Sequence, residues 1–238
     1  FLLTGSLPAS LFAALAFVLA ACSPGGQAPA PTDPAFGKAV RNYLLTNPEV
    51  IEEAQKALAD KKQLELFKSA SADKDDPFIG KKDAKVTVIE FFDYRCPYCV
   101  HAADWVLAQP AKHKDVKVVF KEMPFLSKES YEASQAALAA NKQGKYEAMH
   151  RALMHVASSD LSSASIDKAA QKAGVDVKRM RRDMDSQPVI EHIDRVKKLS
   201  ESAKVESTPT FLINGVLVAG FDEKSLDAAI EKAIKEAS

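Results

Sequence analysis

Apolar residues in the middle of the chain form runs that alternate between strand spacing and helix spacing. Val86 to Phe91 and Val116 to Phe120 are rich in β-branched and aromatic residues, as buried strands are. Pro97 to Leu107 lies between these two runs and has apolar residues at helical spacing. The three segments therefore predict a strand, a helix and a second strand of a βαβ unit.

A second β-rich region lies near the C-terminus. Thr210 to Ile213 and Val216 to Val218 flank Asn214-Gly215, the strongest short signal for a hairpin, and Asp222 is placed to cap a final helix. The stretch between the two β-rich regions predicts helices at Ser130–Asn141, Tyr146–His155 and Ser162–Ala173, a short basic helix capped by Asp176, and a helix opened by Pro188. The pattern predicts an α/β fold with an all-helical insertion at about residues 125–204.

Residues 36–72 predict a helical extension in front of this domain, which we place at residues 73–238. Asn47 is placed to cap a second helix, with Pro48 at its first position, and the polar stretch from Ser71 to Lys85 predicts a linker. An apolar stripe on such an extension needs a surface to cover it, either a second copy of the chain or its own domain. The stripe of the first helix consists of Phe36, Val40, Tyr43 and Leu44.

The N-terminal region has the pattern of an export signal. No charged residue occurs before Asp33, and the apolar run from Leu11 to Ala21 is too short to cross a bilayer comfortably. We expect a signal peptide over residues 1–21 whose true start, with a basic segment, precedes Phe1. Leu-Ala-Ala-Cys22 resembles the lipobox of bacterial lipoproteins, which implies a lipid on Cys22 and a tether over residues 22–35. The alternative is an ordinary signal peptide with an incidental cysteine.

Net charge and cysteine content limit the kinds of function that the sequence supports. The chain has 32 basic and 32 acidic residues, so its net charge gives no indication of nucleic-acid binding. Of the three cysteines, Cys22 would carry the lipid, which leaves Cys96 and Cys99 as a pair without a stray thiol. Export would place that pair in an oxidising compartment.

The sequence Cys96-Pro-Tyr-Cys99 carries the candidate chemistry, because it follows a predicted strand and opens a predicted helix. A cysteine at a helix N-terminus meets unpaired backbone N–H groups and the positive end of the helix dipole, which favour the thiolate. Pro97 suits the first helical position. We therefore predict Cys96 as an exposed nucleophile and Cys99 as the resolving thiol. Half of a zinc site and a purely structural disulfide are the alternatives, although no second cysteine pair supplies further zinc ligands.

Two motifs give the chain a resemblance to a known family. Val88-Ile-Glu-Phe-Phe-Asp-Tyr-Arg-Cys-Pro-Tyr-Cys99 and Ser207-Thr-Pro-Thr-Phe-Leu-Ile-Asn-Gly215 resemble the corresponding motifs of bacterial DsbA-type thiol–disulfide oxidoreductases. The resemblance runs from about residue 77 to the C-terminus and implies a thioredoxin-like fold with a helical insertion. Residues 41–50 resemble the extension of copper-resistance-type DsbA-like proteins, some of which oligomerise through it.

The resemblance implies roles for individual residues. Pro97 and Tyr98 would tune the redox poise, and Glu90 would move a proton to or from the resolving thiol; pairing of Glu90 with a lysine is the alternative. Thr208-Pro209 would form a cis-proline loop that binds substrate, whereas spacing alone equally allows a trans proline. No metal or cofactor is implied. Asp93 and Arg95 are predicted to be surface charges, and His101 is predicted to be solvated. Trp105 is predicted to pack on its own helix, and the other four histidines show no pattern that indicates a partner.

These observations predict an exported, lipid-anchored thiol–disulfide oxidoreductase on the periplasmic side of a bacterial membrane. Its partners would be cysteine-containing exported proteins and a membrane redox protein. Residues 36–72 would form the contacts of a homo-oligomer. The alternatives are a disulfide isomerase or reductase kept reduced by the membrane partner, and a copper-binding lipoprotein that uses the two thiols.

Overall fold

The computed structural model describes residues 34–237, so the predicted signal peptide and Cys22 lie outside the described residues. Five strands form one sheet in the order β1-β3-β2-β4-β5. The strands are β1 (Phe78–Gly80), β2 (Val86–Phe92), β3 (Val116–Glu122), β4 (Thr210–Ile213) and β5 (Val216–Ala219). β2 and β3 are parallel, whereas the other three pairs of neighbours are antiparallel.

β2 is the central strand, and all seven of its residues are buried. Its side chains alternate between two cores, as strand geometry requires. Val88 and Phe92 belong to the larger core, and Ile89 and Phe91 belong to the smaller core on the opposite face. Because both faces are covered, any polar group on this strand lies out of contact with water.

The Asn214-Gly215 hairpin is confirmed. Both turn residues have positive φ values, 43° at Asn214 and 98° at Gly215, as a two-residue turn between twisted strands requires. The Asn214 side chain also accepts a hydrogen bond from the Thr87 backbone N–H at 2.9 Å, which ties the turn to β2.

Strand β1 was not predicted, since the sequence analysis placed these residues in a polar linker. It has three residues, of which only Ile79 is buried, so it carries little apolar signal. Its register is fixed by antiparallel pairing with β3, in which Ile79 faces Val118. Gly80 is required there, because with φ at 95° a Cβ would meet the Val116 carbonyl oxygen at 2.8 Å.

Within the described part of the chain, seven α-helices follow β2. They are α3 (Pro97–Lys112), α4 (Lys128–Asn141), α5 (Tyr146–Met154), α6 (Ser163–Lys172), α7 (Val177–Met184) and α8 (Gln187–Ala203), followed after the hairpin by α9 (Glu223–Ala237). α4 to α8 form the predicted helical insertion between β3 and β4. Asp176 caps α7 as expected, accepting from the Arg179 backbone N–H at 3.0 Å. α3 continues beyond its predicted end, through Pro110.

Residues up to Glu52 and residues from Glu53 onward form two separate units. The first contains α1 (Pro34–Thr46) and the start of α2 (Glu49–Ala70). The predicted cap at Asn47 is wrong, because its side-chain amide donates backward to the Tyr43 carbonyl at 2.8 Å. α1 has no buried residue, and Phe36 and Tyr43 are 51% and 58% exposed. Among residues 34–237, no helix is both long and apolar enough to span a bilayer.

A buried ionic cluster ties the segment before β1 to the sheet and to α8. Lys121 of β3 pairs with Asp76, and both side chains are almost fully buried. The second oxygen of the Asp76 carboxyl lies 3.5 Å from His192 Nε2. Arg195 of α8 donates to Asp73 at 2.7 Å. The cluster therefore joins three segments that are far apart in sequence.

We predict that Asp76→Ala strongly destabilises the fold, because it leaves the Lys121 ammonium buried without a partner. The expected loss in the free energy of unfolding is about 3–5 kcal/mol, measured by urea denaturation. The double variant Asp76→Ala/Lys121→Met should recover much of the loss. Asp75→Ala is the matched control, since its exposed pair with Arg195 contributes about 1 kcal/mol or less. Equal losses at Asp75 and Asp76 would contradict the prediction.

Candidate active site at Cys96 and Cys99

Cys96 lies where the central strand passes into a helix. It is the residue before the first turn of α3, with extended backbone angles (φ −75°, ψ 116°), and Pro97 follows at the start of the helix. Cys99 lies in that first turn. Both cysteines are free thiols in this structure. The predicted strand–helix placement of the pair is confirmed.

The surroundings of Cys96 stabilise its thiolate. A hydrogen bond from the Cys99 thiol is the largest cause, and hydrogen bonds from the Thr208 side chain and the Cys99 and Tyr98 backbone add to it. Partial burial opposes these donors, yet the pKa of Cys96 falls to about 5. A thiol with this pKa is almost entirely ionised at neutral pH.

Cys99 has the opposite environment. It is fully buried, and burial raises its pKa far above the ordinary value for a thiol. Its hydrogen bond to Cys96 and the nearby charge of Glu90 raise the pKa further. The two sulfurs therefore differ greatly in acidity, and Cys99 remains protonated when both thiols are reduced.

The expectation that Cys96 is well exposed is wrong. The residue keeps only 6% of its surface, compared with none for Cys99. The loop before β4 covers it, since the Cys96 thiol donates to the Thr208 carbonyl at 3.2 Å. Tyr98 beside it is 69% exposed. Access to the Cys96 sulfur is therefore narrow and lies between the helix end and this loop.

The Thr208-Pro209 peptide bond is cis, as the family resemblance implied. Thr208 and Pro209 are both buried, and the Thr210 hydroxyl donates to the Ser207 carbonyl at 2.8 Å. The loop thus places one backbone carbonyl and one side-chain hydroxyl of Thr208 at the Cys96 sulfur.

Glu90 lies on β2 behind the cysteine pair and is 1% exposed. Neither of its carboxyl oxygens has a hydrogen-bond partner, and within the described residues it forms no ion pair with a lysine. Burial raises the pKa of Glu90 to about 8, with smaller contributions from the charges of Glu122 and Cys96. The carboxyl is therefore mostly protonated at neutral pH.

Asp93 is not a surface charge, contrary to the sequence prediction. Its side chain is fully buried, and its two oxygens accept from the backbone N–H groups of Arg95, Phe125 and Leu126 and from the Ser130 hydroxyl, at 2.7–3.1 Å. Asp93 thus joins the segment before Cys96 to the loop between β3 and α4. The bond to Arg95, two residues ahead, is an Asx turn, which an Asp in this loop could have indicated.

The sequence analysis also missed a buried polar group centred on Glu122. Tyr94 and Tyr146 donate their hydroxyl hydrogens to Glu122 Oε1 at 3.1 and 2.8 Å. The Tyr94 oxygen also lies 3.1 Å from His150 Nδ1. Burial raises the pKa of Glu122 to about 8 and lowers the pKa of His150 to about 3, so this histidine is neutral. The sequence indicated no pairing for the histidines other than His101, yet His150 lies beside Tyr94 and His192 lies beside Asp76.

Two other predicted residues differ in detail from expectation. Arg95 is half-buried, and its guanidinium lies 3.3 Å from the Glu129 carboxylate. Trp105 packs beyond its own helix, because its ring contacts Phe211 and its N–H donates to Asp227 of α9 at 2.9 Å. His101 is exposed, as predicted.

A possible metal-ligand set also occurs within residues 34–237. Donor atoms of Asp73, Asp76 and His192 lie within 4.8 Å of one another. Lys121 and Arg195 already hold both carboxylates, and a cation there would meet two positive side chains. We therefore assign this cluster to structural ion pairing.

Comparisons with known proteins agree with this geometry. The thioredoxin family model matches residues 72–236, and the model of the copper resistance protein ScsC N-terminal domain matches residues 34–65. A thioredoxin-like oxidoreductase from Silicibacter pomeroyi is 37% identical, covers 71% of this chain and 97% of its own, and has a TM-score of 0.67. A linker-deletion variant of ScsC from Proteus mirabilis is 29% identical to this chain and has a TM-score of 0.67. The match covers 87% of this chain and 99% of the ScsC chain.

A third solved structure, a periplasmic thioredoxin-like protein from Salmonella enterica serovar Typhimurium, is 28% identical, covers 71% of this chain and 96% of its own, and has a TM-score of 0.63. The chain spans about a quarter of the length of the first curated relatives it matches, which are Na⁺/H⁺ antiporters. The family model, by contrast, matches more than half of this chain. The predicted α/β fold is confirmed, and the chain belongs to the thioredoxin family, with an N-terminal segment that matches the ScsC N-terminal model.

Proposed function

We propose that this protein is an exported thiol–disulfide oxidoreductase that acts on protein cysteines through Cys96 and Cys99. The observation that carries the proposal is the difference in surroundings between the two thiols. Cys96 lies at the helix N-terminus against the Thr208 loop, where donors lower its pKa to about 5, whereas Cys99 is fully buried, which raises its pKa. A structural disulfide needs no such difference, whereas an exchange reaction needs one sulfur that leaves as a stable thiolate.

The reaction begins from the oxidised pair. A substrate thiolate attacks the Cys96 sulfur, the bond between Cys96 and Cys99 breaks, and its electron pair goes to the Cys99 sulfur. Because that sulfur is buried, it takes a proton, and Glu90 is the buried acid positioned behind the pair to supply it. A second substrate thiolate then attacks the substrate sulfur of the mixed disulfide and releases Cys96 as a thiolate. Two substrate thiols become one disulfide, and the enzyme pair is reduced.

The stabilised thiolate also favours a direction. A low pKa at Cys96 stabilises the reduced enzyme relative to the disulfide, which makes the oxidised enzyme the better oxidant. We therefore propose oxidation of substrate thiols as the main activity. Pro97 and Tyr98 would adjust this poise, and the backbone at Thr208 and Pro209 would hold an extended substrate.

The N-terminal segment supports a second candidate, a disulfide isomerase that works as a homo-oligomer. Residues 34–65 match the ScsC N-terminal model, and α1 presents apolar side chains that are about half exposed. A second copy covering these side chains would bring several redox pairs together, and a membrane partner would keep them reduced.

We also propose a periplasmic location, with a lipid on Cys22. The uncharged segment before Asp33 and the Leu-Ala-Ala-Cys22 sequence support export and lipidation. The Salmonella relative described as periplasmic supports the same compartment. A membrane redox protein would then restore the oxidised pair after each cycle.

Covalent trapping tests the proposed activity. Cys99→Ala should accumulate a mixed disulfide with a scrambled, disulfide-containing exported protein. The Cys96 thiolate attacks a substrate disulfide and expels one substrate thiolate, and no Cys99 thiol remains to displace the substrate from Cys96. The product is seen on a non-reducing gel. Cys96→Ser should form none. The oxidised wild-type protein should restore activity to a reduced substrate faster than the reduced wild-type protein restores activity to a scrambled one, and the reverse order would favour the isomerase. A lack of any adduct at Cys96 would refute the oxidoreductase proposal.

The acidity of Cys96 gives a second prediction. The rate of alkylation of the reduced protein at Cys96 should rise with pH and have its midpoint near about 5. Cys99→Ala should raise that midpoint, because it removes the largest stabilising hydrogen bond, whereas Cys99→Ser keeps a donor and should raise it less. A wild-type midpoint near about 8.5, the value of a free cysteine, would contradict the mechanism.

The role of Glu90 gives a third prediction. In single-turnover reduction of the oxidised protein by a thiol of low pKa, the wild-type rate should fall as pH rises through about 8, because Glu90 loses the proton that Cys99 needs. Glu90→Gln should be slower on the order of 10²-fold near pH 7 and lack this fall. The alkylation midpoint of Cys96 serves as the control, since Glu90 is protonated and uncharged over the pH range in which Cys96 ionises. An unchanged pH profile would exclude Glu90 as the proton donor.

A further inference from the structure

Glu122 lies on the same face of the sheet as Glu90. Strand alternation places Glu90 and Phe92 on one face of β2 and Phe120 and Glu122 on the same face of β3. Glu90 pairs with Phe120 and Phe92 pairs with Glu122, so the two acids are one strand and two residues apart, roughly 8 Å between their Cα atoms. Lys121 points to the opposite face, where it pairs with Asp76.

The groups that face Glu122 supply hydrogen bonds but no positive charge. Tyr94, from the loop before α3, and Tyr146, from α5, both donate to Oε1. The Ser134 hydroxyl of α4 lies close to the carboxyl without forming a hydrogen bond to it. Asp93 adds a negative charge, and His150 of α5 is neutral. Within the described residues, Glu122 forms no ion pair.

Glu122 therefore tolerates ionisation better than Glu90 does. Two hydroxyl donors stabilise the carboxylate form of Glu122 through Oε1, whereas neither oxygen of Glu90 has a partner. Two buried carboxyls this close titrate as a pair, and the first negative charge goes to the site that has donors. That charge then disfavours ionisation of Glu90 by like-charge repulsion.

We propose that Glu122 is a positioning residue of the redox site. Held by Tyr94 and Tyr146, it takes the first negative charge of the two acids as the pH rises, and it thereby keeps Glu90 protonated until the disulfide opens. The inference rests on the proposed function. When a substrate thiolate breaks the bond between Cys96 and Cys99, the electron pair goes to the Cys99 sulfur and the Glu90 proton follows it. The resulting Glu90 carboxylate lies beside that of Glu122, so their repulsion favours recovery of a proton from water.

The test compares Glu122→Gln with Glu122→Asp. Glutamine still accepts from both tyrosines but carries no charge, so the pKa of Glu90, followed by carboxyl ¹³C NMR, should fall from about 8 by about one unit. The fall in the single-turnover reduction rate with pH should move to lower pH by the same amount. Glu122→Asp keeps the charge and should restore most of the wild-type midpoint. Identical profiles for wild type and Glu122→Gln would overturn the proposal.

A purely structural role would give a different result. It would lower thermal stability in Glu122→Gln without moving the Glu90 midpoint. If that variant fails to fold, Tyr146→Phe removes one donor and leaves the acid in place; the Glu90 midpoint should again move down, by less, and an unmoved midpoint would overturn the proposal. Trapping at Cys96 should persist when each folded variant is combined with Cys99→Ala, so a lack of trapping in Cys99→Ala alone would refute the oxidoreductase function instead.

Discussion

The chemistry of this protein depends on one constraint, which is that a helix N-terminus meets the end of a strand buried on both faces. The helix end and the Thr208 loop direct donors at Cys96, which lowers its pKa. The core behind Cys96 excludes water from Cys99 and Glu90, and this burial raises the pKa of both groups. The same few residues thus give two thiols of opposite acidity, because one sulfur faces donors and the other faces a dry interior.

The loops around the pair are fixed by buried polar contacts. Asp93 accepts four hydrogen bonds and holds the β3–α4 loop against the segment that leads into Cys96. Phe125 and Leu126 on that loop remain about half exposed, as does the ring of Tyr98. A buried polar side chain therefore fixes a loop whose apolar side chains are exposed at the surface.

The helical insertion does more than cover the sheet. Tyr146 and His150 of α5 and Ser134 of α4 complete the surroundings of Glu122, so the acid at the end of β3 is held largely by inserted residues. α8 contributes His192 and Arg195 to the cluster on the opposite face. The insertion therefore connects both faces of the sheet to the region behind the redox pair, and changes within it should affect proton affinity as well as stability.

The sequence by itself determined the features that depend on neighbouring residues. The cysteine pair at a strand–helix junction, the Asn214-Gly215 turn, the Asp176 cap and the helical insertion follow from local hydrogen bonding and from apolar spacing. Only the tertiary structure decided that Cys96 is covered, that Asp93 is buried and that Glu122 meets Tyr94 and Tyr146. These contacts join residues 28 and 24 positions apart for Glu122 and 112 for Cys96 and Thr208. Burial of a polar side chain is set by such distant partners, so no local pattern reveals it.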